Sequence, residues 1–151
     1  MRIKCIATKI YEIKKKYHLN DITVLNSLGE IKKNNYYFIN LGSVIQYVKD
    51  YKFILNSLID TAHEYIFFTA QTFYEKKANK EENIIVKQVN ILPQINYCYF
   101  FEYESFLNIF KVKKFEPVFK VLNFTDRVNY NNFNKKYGKI EYCDLLIKKT
   151  N

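Results

Sequence analysis

The sequence predicts a single α/β domain over residues 1–151, with a mostly parallel sheet that finishes in an antiparallel strand pair. Short runs of β-branched and aromatic residues alternate with segments whose apolar residues recur at helical spacing. One run, EYIFFTA at 64–70, is almost continuously apolar, which is typical of a parallel strand covered on both faces. The length of 151 residues suits one domain with a sizeable core rather than two.

Three strands and a helix are predicted in the first part of the chain. The strands are the apolar or β-branched runs IKCIA at 3–7, ITVLN at 22–26 and YYFIN at 36–40. Between the first two strands, Ile10, Ile13 and Tyr17 are spaced as on one side of a helix, with lysines opposite. Residues 27–34 are expected to form a short helical or turn segment.

The clearest helical pattern begins next to Asp50, which is placed to cap the start of the helix. The apolar side of this helix is formed by Tyr51, Ile54, Leu55, Leu58 and Ile59. Residues 84–90, which follow a polar loop, are expected to be a strand or an extended arm. Residues 103–110 show a second helical stripe of apolar residues. Further strands are predicted at 64–70, 117–123 and 141–149, the last two on either side of an Asn-rich turn at 126–138.

Charge and cysteine content argue against several classes of function. The formal net charge is +9, but the lysines occur as scattered pairs, so we expect solvated surface charge rather than a nucleic-acid interface. The sequence contains no secretory signal and no run of about 20 apolar residues, the length that spans a bilayer. Cys5, Cys98 and Cys143 lack the spacing of metal ligands and indicate reduced cysteines in a cytoplasmic protein. His18 and His63 have no flanking ligand pattern, so a zinc site is not expected.

The turn after the strand at 36–40 is the first candidate functional segment. Its sequence is NLGSVIQYV, and it holds one of the three glycines in the chain. Ligands of parallel α/β sheets bind beyond the carboxyl ends of the strands. Gly42 lets the backbone turn or approach a ligand closely, and Ser43, Gln46 and Tyr47 offer hydrogen-bonding groups there. A plain strand-to-helix turn, in which Gln46 caps backbone groups, is the alternative.

Four segments, in this order, resemble a known protein family. They are the stretch at 36–75 with its turn GSVIQY, NIIVKQVN at 83–90, CYFFEYESFLNIF at 98–110 and CDLLIKK at 143–149. The chain resembles a bacterial family of S-adenosylmethionine-dependent methyltransferases that is often encoded among surface-polysaccharide genes. The resemblance implies a Rossmann-like class I methyltransferase sheet, S-adenosylmethionine as cofactor, and a saccharide or related small molecule as methyl acceptor.

The same resemblance implies that the amino-terminal part of the fold is missing. The strands at 3–7, 22–26, 36–40 and 65–69 would be its second to fifth strands, which leaves no first strand and no glycine-rich loop. The three glycines, Gly29, Gly42 and Gly138, form no G-x-G pattern. Ala7 and Thr8 stand where an acidic residue usually binds the ribose. We therefore expect a truncated methyltransferase that is inactive alone, in which the second and fourth strands pair directly or the fold is marginal. The alternatives are a complementing amino-terminal chain or a homo-oligomer as partner for the unpaired strands, and aggregation through the sheet edges.

Site residues are implied by matching the motifs of the family to this chain. Gln46 and Tyr47 would line the methyl-transfer site. The cofactor would contact Asn26, Ser27, Leu28, Gly42 and Ser43, the first three as the remnant of an adenine pocket. The acceptor would face Gln71, Thr72 and Gln88. For each of these residues the alternative is a satisfied surface or turn group.

Two other functions fit parts of the sequence. A noncatalytic interaction module would bind a partner by strand addition, through an exposed sheet edge and the aromatic-rich arm QINYCYFFEY at 94–103. Nucleic-acid binding would use the positive charge and the interleaved Tyr and Phe residues. No nucleic-acid motif is present, however, and aromatic residues at these spacings more often form a core.

Overall fold

The computed structural model describes residues 12–18, 27–31, 34–75, 83–89, 95–123 and 138–150. The chain forms two compact units, residues 1–34 and residues 35–151. In the first unit the described elements are helix α1 at 12–16 and helix α2, Leu28–Ile31. The predicted strands at 3–7 and 22–26 lie outside the described residues.

The second unit is built on one sheet that contains six described strands. They are β1 (Tyr36–Gly42), β2 (Ala62–Tyr74), β3 (Asn83–Val89), β4 (Ile95–Glu102), β5 (Phe115–Leu122) and β6 (Ile140–Lys149). Across the sheet the order is β3, β4, β2, β6, β5, and β1 also pairs with β2. β1 and β4 run parallel to β2, whereas the pairs β2–β6, β3–β4 and β5–β6 are antiparallel. The predicted α/β class and the antiparallel pair at the end of the chain are confirmed.

β2 lies at the centre of the sheet and has three partners. β6 follows one edge of β2 from Tyr65 to Tyr74. β1 and β4 share the other edge, β1 along the part that ends at Thr69 and β4 at Phe73 and Tyr74. β3 and β4 form a hairpin that is inserted between β2 and the next helix. β4 pairs with β2 only at the end of the hairpin nearest Glu102, which is called its base. Farther from this base, β4 packs against the turn that follows β1.

The two longer helices of this unit begin differently. In α3 (Tyr51–Ile59), Asp50 stands at the N-cap position as predicted, but its side chain makes no capping hydrogen bond. In α4 (Tyr103–Lys111), the carboxylate of Glu102 accepts the backbone N–H of Ser105 at 2.7 Å and caps the helix. The apolar stripe predicted for α3 is confirmed, with buried side chains at Tyr51, Leu55, Leu58 and Ile59.

α3 and α4 contribute to one core on the same face of the sheet, here called the helix face. Its β2 side chains are Ile66, Phe68, Gln71 and Phe73, which lie opposite Ile147, Leu145, Cys143 and Glu141 of β6. Phe106 of α4 packs against Phe68 and Phe73, with ring centroids 5.2 and 5.1 Å apart. These rings are buried, and together with Phe101 and Phe110 they form the centre of the core.

A β-bulge in β2 decides which side chains reach the helix face. The pairing with β6 shifts between Phe68 and Gln71, and Ala70 takes a left-handed conformation with φ 53°. Simple alternation from Phe68 would bring Ala70 to the helix face, but the extra residue brings Gln71 there instead. Thr72 consequently faces the other side of the sheet with its cross-strand partner Tyr142. β2 therefore continues beyond the strand end that its sequence predicts.

Candidate functional site

The turn at the carboxyl end of β1 is fastened to β2. The N–H of Ser43 donates to the carbonyl oxygen of Thr69 at 3.0 Å, and the Ser43 hydroxyl lies 3.2 Å from the same oxygen and 3.3 Å from that of Ala70. Gly42 is tightly packed, because a Cβ at this position would lie 3.3 Å from Thr69 Oγ1. Gly42 and Ser43, predicted to contact the cofactor, thus hold the turn in place in this structure.

The turn leads into a 3-10 helix, Ile45–Tyr47, that packs against β4. The Tyr47 hydroxyl donates to Gln88 Oε1 at 2.9 Å and so links the turn to the hairpin. Gln46 is 4% exposed, and its Oε1 has no hydrogen-bond partner among the described residues. A buried amide oxygen without a partner is unfavourable, so this atom is the strongest candidate in the turn for binding a donor group of a ligand.

Tyr47 lies against the hairpin, where its environment also includes Cys98 of β4 and Tyr142 of β6. Burial is the main cause that raises the pKa of Tyr47, and Cys98 and Tyr142 raise it further. The phenol therefore stays protonated at neutral pH and serves as a hydrogen-bond donor. The residues Gln46, Tyr47, Gln88, Cys98 and Tyr142 are called the amide–tyrosine cluster below.

The amide–tyrosine cluster has no side chain that is charged at neutral pH. Burial raises the pKa of Cys98, and it raises the pKa of Cys143, which is buried on the helix face of the sheet, to about 11. Both groups stay as thiols at neutral pH, so neither is suited to act as a thiolate nucleophile. The cluster can instead hydrogen-bond and align a neutral or cationic ligand, and its rings can lie against one.

Two of the residues predicted to face the acceptor lie in β2, on opposite sides of the sheet. Gln71 is fully buried on the helix face, and neither atom of its amide has a hydrogen-bond partner among the described residues. Thr72 is 5% exposed and faces the same side as Tyr142, a member of the cluster. The structure therefore brings Gln46, Tyr47 and Gln88 together. It places Thr72 on the same side of the sheet as Tyr142 and Gln71 on the opposite side.

The residues predicted to bind adenine belong to the first unit. Asn26 lies outside the described residues. Ser27 precedes α2, where its hydroxyl oxygen accepts the N–H of Glu30 at 3.3 Å and its O–H donates to Glu30 Oε1, also at 3.3 Å. The first of these contacts is that of an N-cap serine, and Leu28 is the first residue of the helix. The role of these residues in binding a cofactor stays a prediction.

One carboxylate beside the turn was not singled out from the sequence. Asp144 of β6 accepts the N–H of Ala70 at 2.7 Å and the side-chain amide of Asn123 at 2.9 Å, both with Oδ1. Its signal in the sequence is weak, since it is one acidic residue in the otherwise apolar run CDLLI. In the structure this residue reaches the bulge that supports Ser43.

Two classes of site are absent from the described parts of the chain. No helix within those ranges is long and apolar enough to cross a membrane. Over the same ranges, His, Cys, Asp and Glu side chains form no group of three that could hold a metal ion. The described cysteines, Cys98 and Cys143, are both free and buried.

Replacing Tyr47 with Phe tests the link between the turn and the hairpin. The change keeps the ring and removes one hydrogen bond, whose net contribution to stability is about 0.5–1.5 kcal/mol. We expect the amides of β3 and β4 to exchange about 3- to 10-fold faster, as measured by hydrogen exchange and NMR. Tyr97→Phe is the matched control on the same hairpin, because Tyr97 is 64% exposed. Equal acceleration in the two variants would contradict the link.

Sequence comparison and structure comparison give different results for this chain. No protein-family model matches it, and no curated protein matches it in sequence. Among solved structures, an S-adenosylmethionine-dependent methyltransferase from Clostridium acetobutylicum ATCC 824 is similar, with a TM-score of 0.53 and 10% identity over 94% of this chain and 71% of that chain. The N-terminal domain of EvdMO1, solved in the presence of SAH and D-fucose, has a TM-score of 0.58 and 8% identity over 92% of this chain and 59% of that chain.

At such low identities the likeness shows a shared fold. The chain has the α/β fold of these two structures, and the predicted Rossmann-like sheet is confirmed. This chain spans 71% of the length of the first structure and 59% of the second.

Proposed function

We propose that the chain is an S-adenosylmethionine-dependent methyltransferase whose acceptor is a hydroxyl group of a saccharide or related small molecule. The observation that carries the proposal is the position of the amide–tyrosine cluster, next to the carboxyl end of β1 in a sheet of the methyltransferase fold. Ligands of such sheets bind beyond the carboxyl ends of their parallel strands.

The chemistry of the cluster fits a sulfonium cofactor. When bound, S-adenosylmethionine would supply a positively charged sulfur and the methyl group that is transferred. Tyrosine rings and amide oxygens can lie against such a cation, and the cluster contains no Lys or Arg to repel it. The resemblance assigns binding of the adenosine part to Asn26, Ser27 and Leu28. Gly42 and Ser43 form the turn that precedes Gln46 and Tyr47 of the cluster.

Gln46 and Tyr47 are the residues proposed to position the reacting groups. A hydroxyl of the acceptor that donates to Gln46 Oε1 would satisfy this buried oxygen and be held in one orientation. Tyr47, through Gln88, keeps the hairpin against the turn. Such an arrangement contributes through alignment, which is what transfer between two bound groups needs most. The cluster holds no carboxylate or histidine, so the hydroxyl proton released on methyl transfer would pass to solvent.

A saccharide acceptor suits the side chains that surround Tyr47. Gln88 and Asn96 are partners across the hairpin, so their amides lie on one side of it and can exchange hydrogen bonds with several hydroxyl groups. Tyrosine rings offer an apolar surface with a polar tip, which suits the mixed surface of a sugar. The presence of D-fucose in the structure of the EvdMO1 domain supports this choice of acceptor.

The proposal includes the expectation that the isolated chain is inactive. The sequence has no G-x-G loop to approach the methionine part of the cofactor. A complementing amino-terminal chain or a second copy of this chain would complete the cofactor site. We expect the protein to act in the cytoplasm. Gln71 and Thr72 are kept as acceptor-facing candidates, Thr72 because it shares a side of the sheet with Tyr142.

Calorimetric titration with SAH, the demethylated form of the cofactor, tests the proposal. We expect no micromolar binding by the chain alone, and micromolar binding by a fusion that adds a glycine-rich first strand and helix upstream. A folded fusion that binds no SAH would contradict the cofactor site. Micromolar binding by the chain alone would contradict the expected inactivity and leave the methyltransferase proposal supported.

Mass spectrometry of sugars incubated with the fusion and S-adenosylmethionine tests the acceptor. Methylated sugar hydroxyls are the expected product. SAH binding without any methylated sugar would contradict the saccharide acceptor alone.

A further inference from the structure

Two left-handed residues other than glycine meet at the carboxyl end of β1. Ser43 has φ 45° and Ala70 has φ 53°. Such residues rarely adopt this conformation unless their surroundings hold them in it. The two are joined directly, because the Ser43 N–H lies 3.0 Å from the carbonyl oxygen of Thr69 and its hydroxyl lies 3.3 Å from that of Ala70. The conformation of the turn therefore depends on the shape of the bulge.

Asp144 supplies the contact that fixes the bulge. Its Oδ1 accepts the Ala70 N–H at 2.7 Å and the Asn123 side-chain amide at 2.9 Å. Asn123 is itself anchored, since its backbone N–H donates to the carbonyl oxygen of Tyr142 at 2.8 Å. A hydrogen bond to an ionised carboxylate is about twice as strong as one between neutral groups. Ala70 is thus held in an unfavourable conformation by a charged side chain of the neighbouring strand.

A short path of contacts leads from Asp144 to the amide–tyrosine cluster. Asp144 binds Ala70, and the carbonyl groups of Thr69 and Ala70 bind Ser43. Ser43 stands just before the 3-10 helix that carries Gln46 and Tyr47. A change in the bulge would therefore move the Ser43 turn and, with it, the 3-10 helix.

We propose that Asp144 is a positioning residue that holds Gln46 and Tyr47 in place through the bulge at Ala70 and the turn at Ser43. Its importance for methyl transfer rests on the proposed function, whereas the positional effect does not. If Asp144 contributed only to the stability of β6, its loss would leave the environment of Tyr47 unchanged in the folded chain.

The test uses the full chain labelled with carbon-13 at the Cζ atom of its tyrosines, with the Tyr47 resonance assigned by Tyr47→Phe. Asp144→Ala is expected to shift this resonance. It should also speed amide exchange at Ala70 about 10- to 100-fold, because the amide loses its hydrogen bond to a charged group. Asp144→Asn keeps an acceptor oxygen without the charge, so a smaller shift of the Tyr47 resonance is expected. If the alanine variant does not fold, the asparagine variant provides the test. Asp60→Ala, an exposed carboxylate after α3, is the control and should change neither.

A rescue experiment separates positioning from general stability. Glycine adopts the left-handed conformation without steric cost, so Ala70→Gly in the Asp144→Ala background should return the Tyr47 resonance toward its original position. An unshifted Tyr47 resonance in the Asp144 variants, or no rescue by Ala70→Gly, would overturn the proposal. A chain that shows both effects and binds no SAH, even as the fusion, would support the positioning role and contradict the proposed function.

Discussion

Replacing Phe106 with Ala is expected to lower the free energy of unfolding by about 3–5 kcal/mol. Phe106 is 2% exposed at the centre of the core. Its ring centroid lies between 5.0 and 5.3 Å from those of Phe68, Phe73, Phe101 and Phe110. Truncation removes these contacts and leaves a cavity between α4 and the sheet that the rigid strands cannot close. Because a domain of ordinary stability unfolds with about 5–15 kcal/mol, the variant loses a large share of the total.

Urea denaturation followed by circular dichroism measures this loss. Phe53→Ala is the matched control, since Phe53 lies on α3 with 60% of its surface exposed. Its loss is expected to stay within about 0.5 kcal/mol. Comparable losses at Phe53 and Phe106 would show that the core does not lie between α4 and the sheet.

Replacing Gln71 with Met is expected to raise the free energy of unfolding by about 1–3 kcal/mol, the desolvation cost of an unsatisfied buried polar group. Gln71 is fully buried on the helix face, and neither its Oε1 nor its Nε2 has a partner among the described residues. Methionine keeps the unbranched shape of glutamine and has no polar group that needs a partner. The expected result is a higher urea midpoint with an unchanged slope.

Gln88→Met is the control for this gain, because the Gln88 amide oxygen accepts the hydroxyl of Tyr47. The same substitution there removes a satisfied group and should give no increase in stability. If Gln71→Met destabilises the chain instead, the amide of Gln71 has a partner in solution.

The regular elements of this fold could be predicted because their patterns are local. The stripe from Tyr51 to Ile59 shows a helix without any knowledge of its surroundings, and the apolar runs that become β1 and β6 are equally plain. The full extent of β2 could not be predicted, since it depends on a bulge that Asp144 holds from another strand. The sequence predicts an arm at 94–103 where the structure has β4, because a run of Tyr and Phe does not identify the strand with which it pairs.

The same distinction applies to the candidate site. Tyr47 and Gln88 could each be chosen from a motif, but only folding brings them to 2.9 Å across 41 positions of sequence. The pattern placed Gln71 beside them, and the bulge turned its side chain to the opposite face of the sheet. Asp144 could not be found from sequence, because a single charged residue in a strand ordinarily indicates a side chain in solvent.

The hairpin of β3 and β4 joins the sheet at two residue pairs in the described part of the chain, Phe73–Phe101 and Tyr74–Glu102. The base of the hairpin belongs to the scaffold, since Phe101 lies in the core, whereas the part beyond these two pairs does not pair with β2 in the described residues. Insertions, deletions and substitutions toward its tip should leave folding largely intact while reshaping whatever docks beside Tyr47. For the proposed methyltransferase, changes confined to the hairpin would therefore alter the acceptor without rebuilding the scaffold.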